Sequence, residues 1–148
     1  MSGEELQIVG EAFLPIFGGV DMVSAIDDDA LWEPTQGLID AEAEITFVAP
    51  QGGGVGAMGG PFRGIAGMRA GWREWLSPWQ SYVIAADDVI DAGGGRVLAL
   101  VSSRCRMHGS GAEVAQGAAA IVRVESGQIV AAAFYLDQDE ARRDAGLD

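Results

Sequence analysis

Apolar positions at the start of the chain recur with the spacing of a helix. Leu6, Val9, Phe13, Ile16 and Phe17 fall on one face, behind a Ser2–Glu5 spacing that suits a capping box. Pro15 lies inside this run and predicts a kink or an early end, because proline removes a donor and crowds the preceding turn. Gly18-Gly19 breaks the helix, and Asp21 is placed to cap a short second one carrying Met22, Val23 and Ile26. Asp27, Asp28 and Asp29 read as a turn, and "AEITFVAP" (residues 43–50) as the first strand. A helical period returns through Ile65, Met68, Trp72, Trp75 and Leu76, and Ser77-Pro78 should stop it. Trp72 and Trp75 then share a helix face, with Trp79 just past the end.

The remainder reads as strands. "SYVIAADDVID", "RVLALVSSRCRM", "AEVAQGAAAIVRVE" and "QIVAAAFYLD" are separated by "AGGG", "HGSG" and "SGQ", turns suited to antiparallel hairpins. In the third of these, Ala118, Ala120 and Val122 point one way and Ala119 and Ile121 the other. In the fourth, Val130, Ala132 and Phe134 oppose Ile129, Ala131, Ala133 and Tyr135. A sheet with one face in water alternates apolar with polar residues. This sheet is therefore expected to be covered twice, by the chain's own helices on one face and by a partner subunit on the other. Asp137 and Glu140 form a second capping box, and Gly146 suits the stop of a short last helix. The fold class is α+β, in one domain spanning residues 1–148.

Composition narrows the partners. The formal charge is −13, and all nine basic residues are arginines. So acidic a surface repels phosphate backbones, which argues against nucleic acid and anionic membranes. No signal peptide or membrane-spanning run is expected, and one cysteine cannot form an internal disulfide, so a cytoplasmic location is the default. One histidine and one cysteine leave zinc almost without ligands, and the three adjacent aspartates lack the alternate spacing of a calcium loop. No metal or cofactor is expected. Gly54, Gly56 and Gly59 fit a dinucleotide-binding pattern, but Gly59-Gly60-Pro61 continues as loop where that motif needs a helix to begin. A nucleotide site is the least supported reading.

Two or three helices, a long helix and then a four-strand meander describe a curved sheet wrapped around a helix. That order, with "FRGIAGMRAGWREWLSPWQSY", "VIDAGGGRVLALV", "GSG" before a strand, "VESGQIV" and "YLDQDEARRDAGL", resembles the nuclear transport factor 2-like superfamily, and within it the SnoaL-like branch. The resemblance implies a cone in which a curved antiparallel sheet and helices enclose an apolar cavity, and a homodimer formed on the sheet's outer face. Ketosteroid isomerases are similar in architecture and use a tyrosine, a base aspartate and a protonated aspartate. Those positions would fall at or near Phe13, at Ala49, and within residues 118–120, all without the polar group. Limonene epoxide hydrolases are similar too, and their Arg and two Asp would fall at Val101, Ser103 and Phe134. Fold alone does not carry function.

The same overlay turns Val101, Ser103 and Cys105, then Gln116, Ala118 and Ala120, then Ala132, Phe134 and Leu136, toward the cavity. The candidate pocket residues are Phe13, Trp72, Leu76, Val101, Ser103, Cys105, Gln116 and Phe134. Apolar walls with a few placed polar groups suit a small molecule. Trp72 should line the cavity, Trp75 pack its edge and Trp79 close one end. Cys105 reads as a small core residue, since His108, the one base in sequence reach, belongs to a turn and should face away. Arg104 and Arg106 share the other parity and could pair with Glu113 or meet a dimer mate. Asp87, Asp88 and Asp91 read as a solvated rim, and Tyr82 and Tyr135 as polar-tipped core residues. The expected function is a pocket for a polyketide-, terpenoid- or steroid-like compound, as a binder or as a cofactor-free isomerase or cyclase guided by Ser103 and Gln116. The alternative is a non-catalytic homodimeric interaction module with a self-filled cavity, which a core with no void beyond a water or two would support, removing the pocket reading.

Overall fold

The computed structural model describes residues 2–48, 62–135 and 137–147, without the side chains of 2–5, 14–17, 31, 34, 48 and 116. Its frame is the meander. Strands β4 (Trp79–Gly93), β5 (Arg96–Met107), β6 (Glu113–Glu125) and β7 (Gln128–Tyr135) pair antiparallel in sequence order. The β6–β7 turn is only Ser126-Gly127, both at positive φ (51° and 79°), the geometry whose twist matches a two-residue hairpin. Three shorter strands complete a seven-stranded sheet in the order β1-β4-β5-β6-β7-β2-β3.

Strand β2 (Ile39–Val48) starts before the expected segment, and it runs parallel to β7, the one parallel pair in the sheet. Edge strands β1 (Gly18–Asp21) and β3 (Phe62–Arg63) were not expected at all; Gly18-Gly19 passes from helix into strand, pairing Gly18 with Ala85. Trp79 likewise opens β4 and pairs with Met107. Helix α1 (Ser2–Phe17) runs two residues past Pro15 before it ends, giving up the one bond that an N–H there would have made to the carbonyl four residues before it. Asp21 caps α2 (Met22–Ala25) as expected, accepting from Val23 N at 3.1 Å, and also holds Tyr82 N at 3.0 Å. The aspartate run is more than a turn. Asp28 caps a one-turn helix α3 (Asp29–Trp32), while Asp27 and Asp29 pair with Arg73 and Arg69 of α4 (Gly64–Trp75). The glycine-rich segment 51–60 lies outside the described residues.

One face of the sheet packs α1 and α4 into the main core, which takes in Val9, Phe13, Met68, Trp72, Val97 and Val122. Trp32 is wholly buried there and donates to the Ile26 carbonyl at 3.0 Å. On the other face, Leu98, Leu100, Ala119 and Tyr135 pack with Ala141 of α5 (Gln138–Asp144). At this end the second face is covered by the chain's own last helix, where a partner subunit was expected. Asp137 caps α5 by accepting from Asp139 N and Glu140 N. The helix ends with Gly146 N donating to Arg143 O and Leu147 N to Arg142 O, a Schellman closure. Parity fails at one residue. Ile129 joins the main core beside Ala132 and Phe134, because the register shifts where Arg123 and Val124 face Ala131 and Ile129 and leave Val130 as an extra residue. No helix among the described residues is long and apolar enough to cross a membrane.

Candidate functional site

Helix α4 lies against β2, and the closeness of that packing depends on Gly71. A Cβ at this position would stand 2.5 Å from the Phe47 ring and 3.0 Å from that of Phe62. Without it, Phe47 enters an aromatic cluster, 5.1 Å from Phe134 (stacked), 5.4 Å from Trp72 (edge-on) and 5.6 Å from Trp75. Trp72 also meets Phe134 at 5.2 Å, and Phe13 meets Phe134 edge-on at 6.0 Å. Such offsets and edges are the favoured aromatic geometries.

The cluster leaves a small void between helix and sheet. It is bordered by Trp72 and Trp75 of α4, by Tyr82, Phe134 and Tyr135 of the strands, and by Ile84, Val101, Ser103, Ala118 and Ala119. The cavity volume is about 20 Å³, room for about one water. Trp75 donates its indole N–H to the Tyr82 hydroxyl at 3.2 Å. Ser103 and Thr35 are the buried polar residues among those described, and no carboxylate or imidazole among the described residues borders the void. The indole N–H of Trp72, a residue only 3% exposed, has no hydrogen-bond partner among the described residues.

Burial pushes the Cys105 thiol up to about 11, only partly offset by the neighbouring Ser103 and Tyr82 hydroxyls. The group is a thiol at neutral pH, and His108 is exposed on its turn, so the two make no nucleophilic pair. Tyr135 is raised as well, first by burial and then by its 2.8 Å hydrogen bond to the Asp144 carboxylate. Among the described residues no group of three or more His, Cys, Asp or Glu side chains could hold a metal ion.

Of the residues singled out from sequence, Trp72, Val101, Ser103 and Phe134 border the void. Phe13, Leu76 and Cys105 are buried in the same core but stand off it. Gln116 pairs with Ser103 across β5 and β6, with its side chain outside the described set, as Leu136 is entirely. Ala49 is outside it too. Trp75 borders the void directly, whereas Trp79 packs edge-on against Tyr82 at 5.7 Å and is not among the residues that border it. Tyr82 and Ile84 were not singled out as pocket residues. Their signal was present: on β4 they stand opposite Cys105 and Ser103, on the same face.

A second, open groove of about 690 Å³ lies along Val83, Ala85, Ser102, Arg104, Ala115 and Gly117. Beside these, Arg106 bonds Glu113 at 3.3 Å, and Ser102 donates to Asp87.

The whole fold is shared with solved structures. An NTF2-like protein of unknown function from Burkholderia pseudomallei K96243 superposes with a TM-score of 0.65 at 19% identity, over 95% of each chain. TerC, co-crystallised with polyporic acid, gives 0.66 at 14% identity over 97% of this chain and 98% of that one. A Mycobacterium tuberculosis protein in complex with estradiol-17beta-hemisuccinate gives 0.59 at 12% identity over 92% and 95%. No curated protein sequence matches significantly. The SnoaL-like domain profile matches residues 21–132, from the cap of α2 into β7, and the chain belongs to that family.

Proposed function

We propose that the chain binds an apolar small molecule of polyketide-, terpenoid- or steroid-like character between α4 and the inner face of the sheet. The observation that carries this reading is the make-up of the wall. Aromatic residues of α4 (Trp72, Trp75) and of the sheet (Tyr82, Phe134, Tyr135) border the void beside the small Ala118 and Ala119, and Ser103 is the buried polar side chain among the described residues that line it. Aromatic faces with one or two placed polar groups are the composition of small-molecule sites. That TerC was co-crystallised with polyporic acid and the mycobacterial protein solved with estradiol-17beta-hemisuccinate supports a small-molecule role for this fold. Binding is the activity proposed, since no described side chain at the void forms an acid–base pair. An isomerisation or cyclisation here would rest on shape and on hydrogen bonds from Ser103.

One observation favours the alternative, a non-catalytic module whose cavity is filled by its own side chains. The void of about 20 Å³ is far below the roughly 300–1,000 Å³ of ligand pockets, so a ligand must displace aromatic side chains to enter. Titration of the intrinsic tryptophan fluorescence with uncharged polycyclic compounds separates the two. The binding reading expects saturable quenching in the wild type and none in a folded Ala118→Phe variant, whose ring fills the void. Absence of quenching by every compound contradicts it.

A homodimer is part of the proposal. The outer groove, with Ala85, Ala115 and Gly117 along it, offers a surface of small side chains onto which a second sheet can close.

A further inference from the structure

Tryptophan can donate one hydrogen bond and accept none. Trp32 gives its bond to the Ile26 carbonyl and Trp75 gives its bond to Tyr82, each at an oxygen of this chain. Trp72 is deeply buried as well, on the last turn of α4, and its N–H is left without a partner among the described residues. A buried donor with nothing to bond forfeits its hydration and gains nothing in return. Phenylalanine would fill much of the same space without that penalty. The unpaired donor stands on a residue that borders a void with room for about one oxygen atom and its hydrogens.

We infer that the ligand of this cavity is an uncharged apolar molecule carrying a hydrogen-bond acceptor, a carbonyl oxygen by preference, and that the Trp72 indole N–H is the donor that receives it. This rests on the reading of the cavity as a ligand site. Charge is excluded by the wall: no arginine or histidine among the described residues borders the void, so a carboxylate or phosphate would be buried uncompensated. A ligand ammonium cannot serve either: it has no lone pair to accept from the indole, and no carboxylate among the described residues borders the void to hold it. A carbonyl oxygen meets each condition, and in the empty protein a water can hold its place.

Acetylnaphthalene and ethylnaphthalene, nearly identical in shape and differing in the carbonyl, test this by calorimetry on the wild type and on Trp72→Phe. The wild type is expected to bind the ketone about fivefold more tightly than the hydrocarbon, the size of one net hydrogen bond. Trp72→Phe should bind the two alike, losing affinity only for the ketone. Proton–nitrogen spectra of the wild type give a readout that does not depend on the variant's folding. The Trp72 indole resonance should move downfield with the ketone and not with the hydrocarbon. Equal affinity of both compounds for the wild type, or a ketone preference that survives Trp72→Phe, overturns the assignment while the ligand site stands. Failure of both compounds to bind the wild type removes the ligand site, and the assignment with it.

Discussion

Gly71 and Cys105 show how single positions tune this core. A methyl group at Gly71 would meet the Phe47 ring at 2.5 Å, and that ring is held by Phe134, Trp72 and Trp75 at once, so it has nowhere cheap to go. Overpacking costs about 1–3 kcal/mol, against a gain of about 1 kcal/mol in helix propensity. Gly71→Ala should therefore lower stability by up to about 2 kcal/mol in urea unfolding; a gain would show that the cluster gives way easily. Cys105 acts through its proton. Its thiol ionises near 9.0 when free of the fold and at about 11 within it, so the folded state holds the proton longer. Stability from this site is complete below pH 9 and is lost as pH rises toward 11. Cys105→Ala should flatten that part of the stability profile, and the native thiol should resist Ellman's reagent at pH 8.

At the scale of elements, α5 depends on its first residue. Asp137 accepts from two backbone donors, and Asp137→Ala should cost about 1 kcal/mol. The loss should appear as faster amide exchange in the strand segment carrying Leu98 and Leu100, which pack under this helix, with the Trp72 side of the sheet unaffected. Exchange that rises equally on both faces would mean that α5 is not a separate cover. Long elements were legible in the sequence because their patterns repeat. The period Met68, Trp72, Leu76 marked α4, and the turns "AGGG" and "SGQ" set off the meander. What escaped was short or non-local. Strands β1 and β3, four and two residues long, show no period, and the parallel pairing of β2 with β7 joins segments about ninety positions apart. The bulge at Val130 turned Ile129 inward with no local marker. At the site, strand parity and the family overlay together placed Val101, Ser103 and Phe134, and helical spacing placed Trp72. Phe13 and Leu76 are buried in the same core without bordering the void, a distinction set by tertiary packing that no spacing records.

Across the whole molecule, the charge of −13 and the outer groove bear on assembly. A dimer closing on the groove must bring two acidic chains together, so added salt, which screens their repulsion, should strengthen it. The central claim, that the space between α4 and the sheet is a site for an apolar molecule, is tested most directly by native mass spectrometry of the untagged, gently purified protein. The account predicts a species carrying an extra mass on the order of a few hundred daltons, the scale of a pocket ligand, which a folded Ala118→Phe variant does not retain. Wild-type protein that stays at its bare mass, both as purified and after incubation with uncharged polycyclic ketones, would contradict it and mark the cavity as filled by the chain itself.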